Sequence, residues 1–169
     1  GKTMREDDNF VGQTWYEASF DTDEEDTEFR FSFLRTAPHA EECGQLSAPN
    51  STVTMPPGFE LTGPADGTSI SRADDDLTIV WDGGGKDDPM RFSVGGSCVF
   101  SYTESVTRDE GTLVIESGSI EPLDDENPTD CELTIGVTRY RAGEVDSAFG
   151  EGGAIEASQS RTLTIGSTP

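Results

Sequence analysis

The stretch that most constrains the fold runs from 77 to 100 and reads LTIVWDGGGKDDPMRFSVGGSCVF. Large apolar residues occupy every second position at its two ends, namely Leu77, Ile79 and Trp81 in the first run and Met90, Phe92 and Val94 in the second. A period of two is typical of a strand with one buried face. The residues between the runs, DGGGKDDP, are turn formers and charges. We therefore predict a β-hairpin with a long, acidic, glycine-rich loop.

The rest of the chain repeats this pattern of short strands and polar turns. About ten alternating segments, separated by Gly, Pro, Asp and Ser, predict an all-β fold, an antiparallel β-sandwich or barrel. No stretch has a helical period. The segment 28–34 alternates most regularly, and it places Phe29, Phe31 and Phe33 on one face. We expect these three rings to supply much of the core, at about 2 kcal/mol each when buried.

The same patterns predict how the chain is organised. We expect residues 1–9 to be a flexible tail and residues 10–169 to form a single β-sandwich domain. A first strand, 10–20, and the strand 28–34 should pair as an N-terminal hairpin within residues 10–35. This hairpin should pack on the remaining sandwich, 51–166. The connection 36–50 is interpreted as a long crossover between sheets.

The charge balance excludes several classes of partner. The chain has 34 acidic and 11 basic residues, a net charge of -23, and only 32% hydrophobic residues. Such a composition is also typical of disorder, but nine Phe, three Tyr and two Trp at strand spacing favour a folded chain. An acidic surface repels nucleic acid and anionic membranes. It favours cations, basic partners, or simple solubility in salty surroundings.

The three cysteines suggest one disulfide. There is no C-x-x-C pair and one histidine, so a zinc site has no support. Cys98 and Cys131 each border a predicted strand and are the better pair. Closing a loop of about 30 residues stabilises a fold by roughly 3 to 4 kcal/mol in the chain-entropy model. Cys43 is left over in a loop, either as a free thiol or because the pairing is different.

Catalysis has few candidates. His39 lies four residues before Cys43, so a Cys–His nucleophile is one hypothesis, and a solvated loop histidine is its alternative. A close carboxylate pair could serve a hydrolase if it were buried. The chain has no G-x-S-x-G, P-loop, H-E-x-x-H or G-x-G-x-x-G motif. We therefore expect that the protein is not an enzyme.

Calcium is the better chemical hypothesis, because hard cations bind clustered carboxylates and carbonyls in turns. Three acidic loops offer candidate ligands, namely Asp21, Asp23 and Asp26, then Asp82, Asp87 and Asp88, and finally Asp124, Asp125 and Asp130. None of the three has the EF-hand spacing. The alternative is that these loops are only hydrated. We expect no other cofactor.

Exposed aromatic residues are candidates for glycan binding. Trp15 and Tyr16 are adjacent, so in a strand they face opposite sides and one of them can be exposed. Tyr102 and Tyr140 are further candidates. The alternative for each is packing in the core.

The chain also resembles known bacterial proteins over most of its length. The part from Phe59 to Ile165 resembles immunoglobulin-like or fibronectin type III-like modules of bacterial extracytoplasmic proteins, and the cue is the pattern FELTGPADGTSISRADDDLTIVW at 59–81. The whole chain is similar to a group of small bacterial lipoproteins in its MPPGFELTGPADG opening, GGSC, RAG and final SRTLT and STP motifs. The resemblance implies an immunoglobulin-like sandwich and export, to the periplasm, the outer membrane or the medium. It also implies a lipid anchor upstream of residue 1.

These observations lead to one functional expectation and two alternatives. No run approaches the about 18 apolar residues of a membrane span. The start, Gly-Lys-Thr, is typical of a processed or engineered end from which a leader has been removed. We expect an extracytoplasmic binding or structural module whose partner is a protein or a glycan. The alternatives are a calcium-dependent adhesion or assembly module and a carboxylate-based hydrolase.

Overall fold

The computed structural model describes residues 5–8, 14–17, 24–33, 47–83, 87–149 and 153–169. These ranges contain twelve strands, namely β1 Arg5–Asp8, β2 Thr14–Glu17, β3 Glu28–Phe33, β4 Ala48–Thr54, β5 Leu61–Gly63, β6 Ser69–Ser71, β7 Leu77–Trp81, β8 Met90–Gly96, β9 Val99–Val106, β10 Thr112–Ile115, β11 Cys131–Ala142 and β12 Glu156–Thr168. The only helix in these ranges is one 3-10 turn, Ser147–Phe149. The predicted all-β class is confirmed, and the several sheets are consistent with a β-sandwich. No helix in the described ranges is long and apolar enough to cross a membrane.

Two sheets share the main core. A five-stranded sheet has the order β6-β12-β11-β8-β9, and a three-stranded sheet has the order β10-β7-β5. All their strand pairs are antiparallel except β12 with β6, which is parallel. β11 and β12 pair continuously from Cys131 opposite Ser167 to Ala142 opposite Glu156. β9 is therefore one edge of the larger sheet.

The buried faces of β7 and β8 are the ones that the alternation predicts. Leu77, Ile79 and Trp81 are buried on β7, and Met90, Phe92 and Val94 are buried on β8. β11 adds Leu133, Ile135 and Val137 to the same core. Burying a large aliphatic or aromatic side chain stabilises the fold by about 1.5 to 3 kcal/mol, so these three strands supply most of the apolar driving force.

The predicted hairpin of residues 77–100 is wrong, although its two strands are correct. β7 pairs with β5 and β10, whereas β8 pairs with β9 and β11. The chain between them passes from one sheet to the other. The rings of Trp81 and Phe92 then meet across the core, with 5.2 Å between their centroids. Alternation specifies which face of a strand is buried, but it does not specify the neighbouring strand.

The N-terminal pairing also differs from the prediction. β3 pairs with β4 rather than with β2, and β2 pairs with β1, which lies within the predicted tail. The side chains of Phe29, Phe31 and Phe33 share one face of β3 but are only half-buried, and none belongs to the main core. Hydrogen bonds in both directions between Thr52 and Glu144 connect β4 to the residues that follow β11.

Candidate functional site

Exposed apolar side chains mark one edge of the larger sheet. Phe100 on β9 is 54% exposed, and Leu123 is 51% exposed. The amide of Phe100 donates to the carbonyl of Glu121, and the amide of Leu123 donates to the carbonyl of Cys98, both at 2.9 Å. These bonds place the segment 119–123 against the beginning of β9. We call Phe100, Leu123 and the cleft beside them the edge patch.

The cleft of the edge patch has a volume of about 310 Å³. Its lining combines an aromatic ring, hydroxyl groups and one carboxylate, from Phe100, Ser101, Tyr102, Thr103, Ser119 and Glu121. Four of these residues are consecutive on β9, where alternate side chains face opposite sides of the sheet. The cleft therefore lies at the edge of the sheet, between β9 and the segment 119–123.

Tyr102 is held beside the cleft by an acidic neighbour. Its hydroxyl donates to Oε2 of Glu104 over 2.5 Å. This hydrogen bond, followed by burial and by the charge of Glu104, raises the pKa of Tyr102 to about 12. The phenol is therefore neutral at ordinary pH, and the carboxylate of Glu104 adds negative charge beside the cleft.

Arg139 has the most deeply buried arginine side chain in the described ranges, and it binds backbone carbonyls and a buried carboxylate. Arg139 is paired with Asp109, and both side chains are fully buried. Asp109 also accepts from Nε1 of Trp81 at 2.7 Å, and Arg139 donates to the carbonyls of Pro57 and Gly58 at 2.8 and 2.9 Å. The cluster joins the end of β11 to the end of β7. It explains why two charges are tolerated in the core.

In the described ranges, each buried carboxylate is bound to a different arginine. In the described ranges the buried acidic residues are Asp88 and Asp109. Arg141 binds Asp88 through two bonds of 2.7 and 2.8 Å, while Asp109 is bound to Arg139. The hydrogen bonds that Arg141 donates to Asp88 raise the pKa of Arg141. Each carboxylate is thus neutralised by an arginine, and the hydrolase hypothesis gains no support from them.

Three of the predicted calcium ligands bind an arginine or a backbone amide. Asp26 and Asp88 both bind Arg141, at 3.2 and 2.7 Å. Asp82 accepts the amide of Glu60. Among the residues that the structure describes, no group of three or more His, Cys, Asp or Glu is arranged to hold a metal.

The remaining predicted ligands fall into three groups. Asp124 accepts the amides of the residues two and three positions after it, at 3.0 and 3.1 Å, as a turn-forming aspartate does. Asp87, Asp125 and Asp130 are exposed. Asp21 and Asp23 lie outside the described residues. Calcium binding by these loops remains a prediction.

Other candidates have different positions. The backbone of Trp15 and Tyr16 forms part of β2, but their side chains lie outside the described part of the chain, as do His39 and Cys43. The ring of Tyr140 lies 4.5 Å from the guanidinium carbon of Arg91. The ring face that a sugar would need is therefore occupied on that side.

The predicted disulfide between Cys98 and Cys131 is confirmed. Sequence reasoning named Tyr102, which lines the cleft of the edge patch, but it missed Phe100 and Leu123, although one signal for Phe100 exists. Val99 and Phe100 are adjacent apolar residues in a strand, so one of them must leave the core. Val99 is buried and Phe100 is exposed. No protein-family model, curated protein or solved structure matches this chain.

Proposed function

We propose that this chain is a non-catalytic, extracytoplasmic binding module with an immunoglobulin-like sandwich. It binds an extended, basic segment of a partner protein along the edge patch on β9. The observation that carries the proposal is the exposed pair Phe100 and Leu123 at a sheet edge, beside a cleft whose charged residue is Glu121.

The strand order supports the immunoglobulin-like assignment. In that fold the second and third strands of the sandwich lie in different sheets, and the third strand pairs with the sixth. Here β7 and β8 take the places of the second and third strands, because they lie in different sheets. β8 pairs with β11, which takes the place of the sixth strand, and β11 in turn pairs with β12. The tryptophan position is different, because Trp81 lies on β7 and packs on Phe92 of β8.

The disulfide supports an extracytoplasmic location. Disulfides persist in oxidising compartments and are rare in the cytosol of most organisms. The Cys98–Cys131 bond joins residues 33 positions apart and connects the turn after β8 to the start of β11.

The edge of β9 is suited to an added strand. In the part of the chain that the structure describes, β8 occupies one side of β9, and the segment 119–123 covers only its first residues on the other side. An unpaired strand edge presents amide and carbonyl groups that an extended peptide can bind, while side-chain pockets beside it provide specificity. The cleft would receive an aliphatic side chain against Phe100.

Charge determines which extended segment fits. Glu121 lines the cleft, and Glu104 lies beside it on the hydroxyl of Tyr102. The protein as a whole has a net charge of -23, which steers basic partners toward it and repels acidic ones. A segment that alternates aliphatic and basic residues therefore meets both properties of the patch.

The test uses a short fluorescein-labelled peptide of alternating Val and Lys, with anisotropy as the measurement. The double variant Phe100→Ser, Leu123→Ser should bind about tenfold more weakly or worse. Each side chain is about half exposed, so the two together gain roughly 1.5 to 3 kcal/mol when a partner buries them, and about 1.4 kcal/mol is tenfold in affinity. The control is Val114→Ser, which removes a side chain that is 49% exposed on β10 of the other sheet.

Two controls separate specific docking from general attraction. The same peptide with Glu in place of Lys should not bind. Equal binding by the double variant and by Val114→Ser would contradict the proposal, because the affinity would then come from net charge alone. A soluble oligosaccharide that displaces the Lys peptide would also contradict it, since the patch would then be a glycan site.

A further inference from the structure

Arg72 is a buried cation with an unusual neighbour. It is 4% exposed, and none of the ion pairs among the described residues includes it. Its Nη1 donates to Oγ of Ser167 at 2.7 Å and to Sγ of Cys98 at 3.5 Å, and its Nη2 donates to the carbonyl of Thr129 at 3.0 Å. Its Nε has no hydrogen-bond partner within the described ranges. A buried charge without a carboxylate is costly, so its retention calls for a role.

The fold aims this guanidinium at the disulfide from the side of Cys98. The amide of Arg72 donates to the carbonyl of Thr168, and its carbonyl accepts the amide of Gly118, which fixes its backbone at both groups. Ser167, which holds Nη1, lies opposite Cys131 in the register of β12 and β11. The guanidinium of Arg72 therefore lies against Sγ of Cys98, while Ser167, which binds it, lies on the strand beside Cys131.

The two sulfur-bearing residues differ in exposure. Cys98 is 7% exposed and belongs to the core cluster, whereas Cys131 is only partly buried at the start of β11. Cys131 is therefore the less enclosed of the two residues, and we take its sulfur as the one that an external thiolate attacks. A neighbouring arginine lowers the pKa of a thiol, and a thiol of lower pKa leaves faster in thiol–disulfide exchange.

We propose that Cys98–Cys131 is a thiol–disulfide exchange site for small thiols, in which Arg72 stabilises Cys98 as the leaving thiolate. An external thiolate attacks Sγ of Cys131 and forms a mixed disulfide with it. The bond between the two protein sulfurs breaks, and its electron pair passes to Sγ of Cys98, which becomes a thiolate beside Arg72. The external thiol is oxidised and Cys98 is reduced, so the step balances without another reactant.

This role is independent of the edge patch and of its partner. Cys98 precedes β9, and its carbonyl accepts the amide of Leu123, so reduction of the bond acts next to the edge patch without using it. Arg72 is a positioning residue in this step, because it acts on the reacting sulfur through its charge.

The first experiment maps the attacked sulfur in the variant Cys43→Ser, which leaves one cysteine pair. Limiting 2-mercaptoethanol is the probe, since it has no other charge that the acidic surface would repel. After acid quenching and alkylation, peptide mass spectrometry should find the mercaptoethanol on Cys131 and the alkyl group on Cys98. The reverse distribution would overturn the proposal.

The second experiment tests the cation. In the same Cys43→Ser background, Arg72→Met should slow exchange by about tenfold or more, and Arg72→Lys should restore part of the rate. Arg91→Met is the matched control, because it removes the same charge from an exposed position on β8 and should leave the rate unchanged. Equal rates for Arg72→Met and Arg91→Met would refute the role of Arg72.

A third measurement remains decisive if Arg72→Met does not fold. In the fully reduced Cys43→Ser protein, the alkylation rate of Cys98 is measured against pH. Half-maximal reactivity should occur well below the ordinary thiol pKa of about 8.5. A midpoint at or above that value would contradict the stabilised thiolate, whereas a merely structural arginine would not lower it.

Discussion

The ion pair of Asp109 and Arg139 allows the sharpest test of how the core is held together. Both side chains are fully buried. We consider the variant Asp109→Asn, which keeps the shape of the side chain and an oxygen for Nε1 of Trp81 but removes the negative charge. Arg139 is then a buried cation with hydrogen bonds to backbone carbonyls and no opposing charge.

The expected loss is large for a single isosteric change. Breaking a buried ion pair by removing one partner costs about 3 to 5 kcal/mol. For a chain of 169 residues each kcal/mol corresponds to about 2 to 4 °C in Tm, so the melting temperature should fall by roughly 6 to 20 °C. Urea unfolding followed by tryptophan fluorescence measures the free energy directly.

A double-mutant cycle and a surface control complete the test. Asp125→Asn changes an exposed aspartate and should alter the free energy of unfolding by no more than about 0.5 kcal/mol. In the cycle with Arg139→Met, the double variant should be more stable than the sum of the single losses predicts, by about 1 kcal/mol or more. The reasoning is refuted if Asp109→Asn resembles Asp125→Asn, or if the two single losses simply add.

Three further predictions concern packing, titration and metal. Gly143→Ala should destabilise the fold by about 1 to 3 kcal/mol in urea unfolding, because its Cβ would lie 2.6 Å from Cβ of Val53, whereas Gly153→Ala meets only ordinary contacts and should be neutral. In ultraviolet pH titration, Tyr102→Phe should remove a tyrosine that ionises near pH 12. Because its folded pKa is raised from 10.0 to about 12, the stability that the bond to Glu104 provides is present below pH 10 and is lost through pH 12; equal midpoints for all tyrosines would contradict this. Calcium binding by the acidic loops predicts that millimolar calcium raises Tm by more than sodium chloride of matched ionic strength does, and equal rises would mean that salt only screens their charge.

Periodicity predicted the buried faces of this protein and little of its connectivity. Trp81 and Phe92 were assigned to strands with one buried face, and both are buried. That they meet from opposite sheets was not predictable, because a buried face is equally satisfied by a neighbour in the same sheet or by a ring across the core. The disulfide was predictable because Cys98 and Cys131 border strong strands.

The buried charges show a different limit. Arg139 occupies the next alternate position after Leu133, Ile135 and Val137 on β11, so the period itself places it on the buried face. Its charge argued against burial, and its partner Asp109 lies in a turn that looks like any other acidic turn of the chain. No period in the sequence predicts that Arg72 is buried, because the strand before it, β6, has only three residues. The proposed role of Arg72 depends on its contacts with β12 and with the disulfide.

The parallel pairing of β6 with β12 has a consequence for how the chain folds. Ser69 lies opposite Gly166, so β6 gains its sheet neighbour only after β12, the last strand in chain order, is in place. Contacts between such distant residues form slowly, and unpaired strands favour aggregation in the meantime. The strong negative charge keeps incompletely folded chains apart during that interval. The acidic residues thus protect the protein before it is folded, whether or not any of them binds a ligand afterwards.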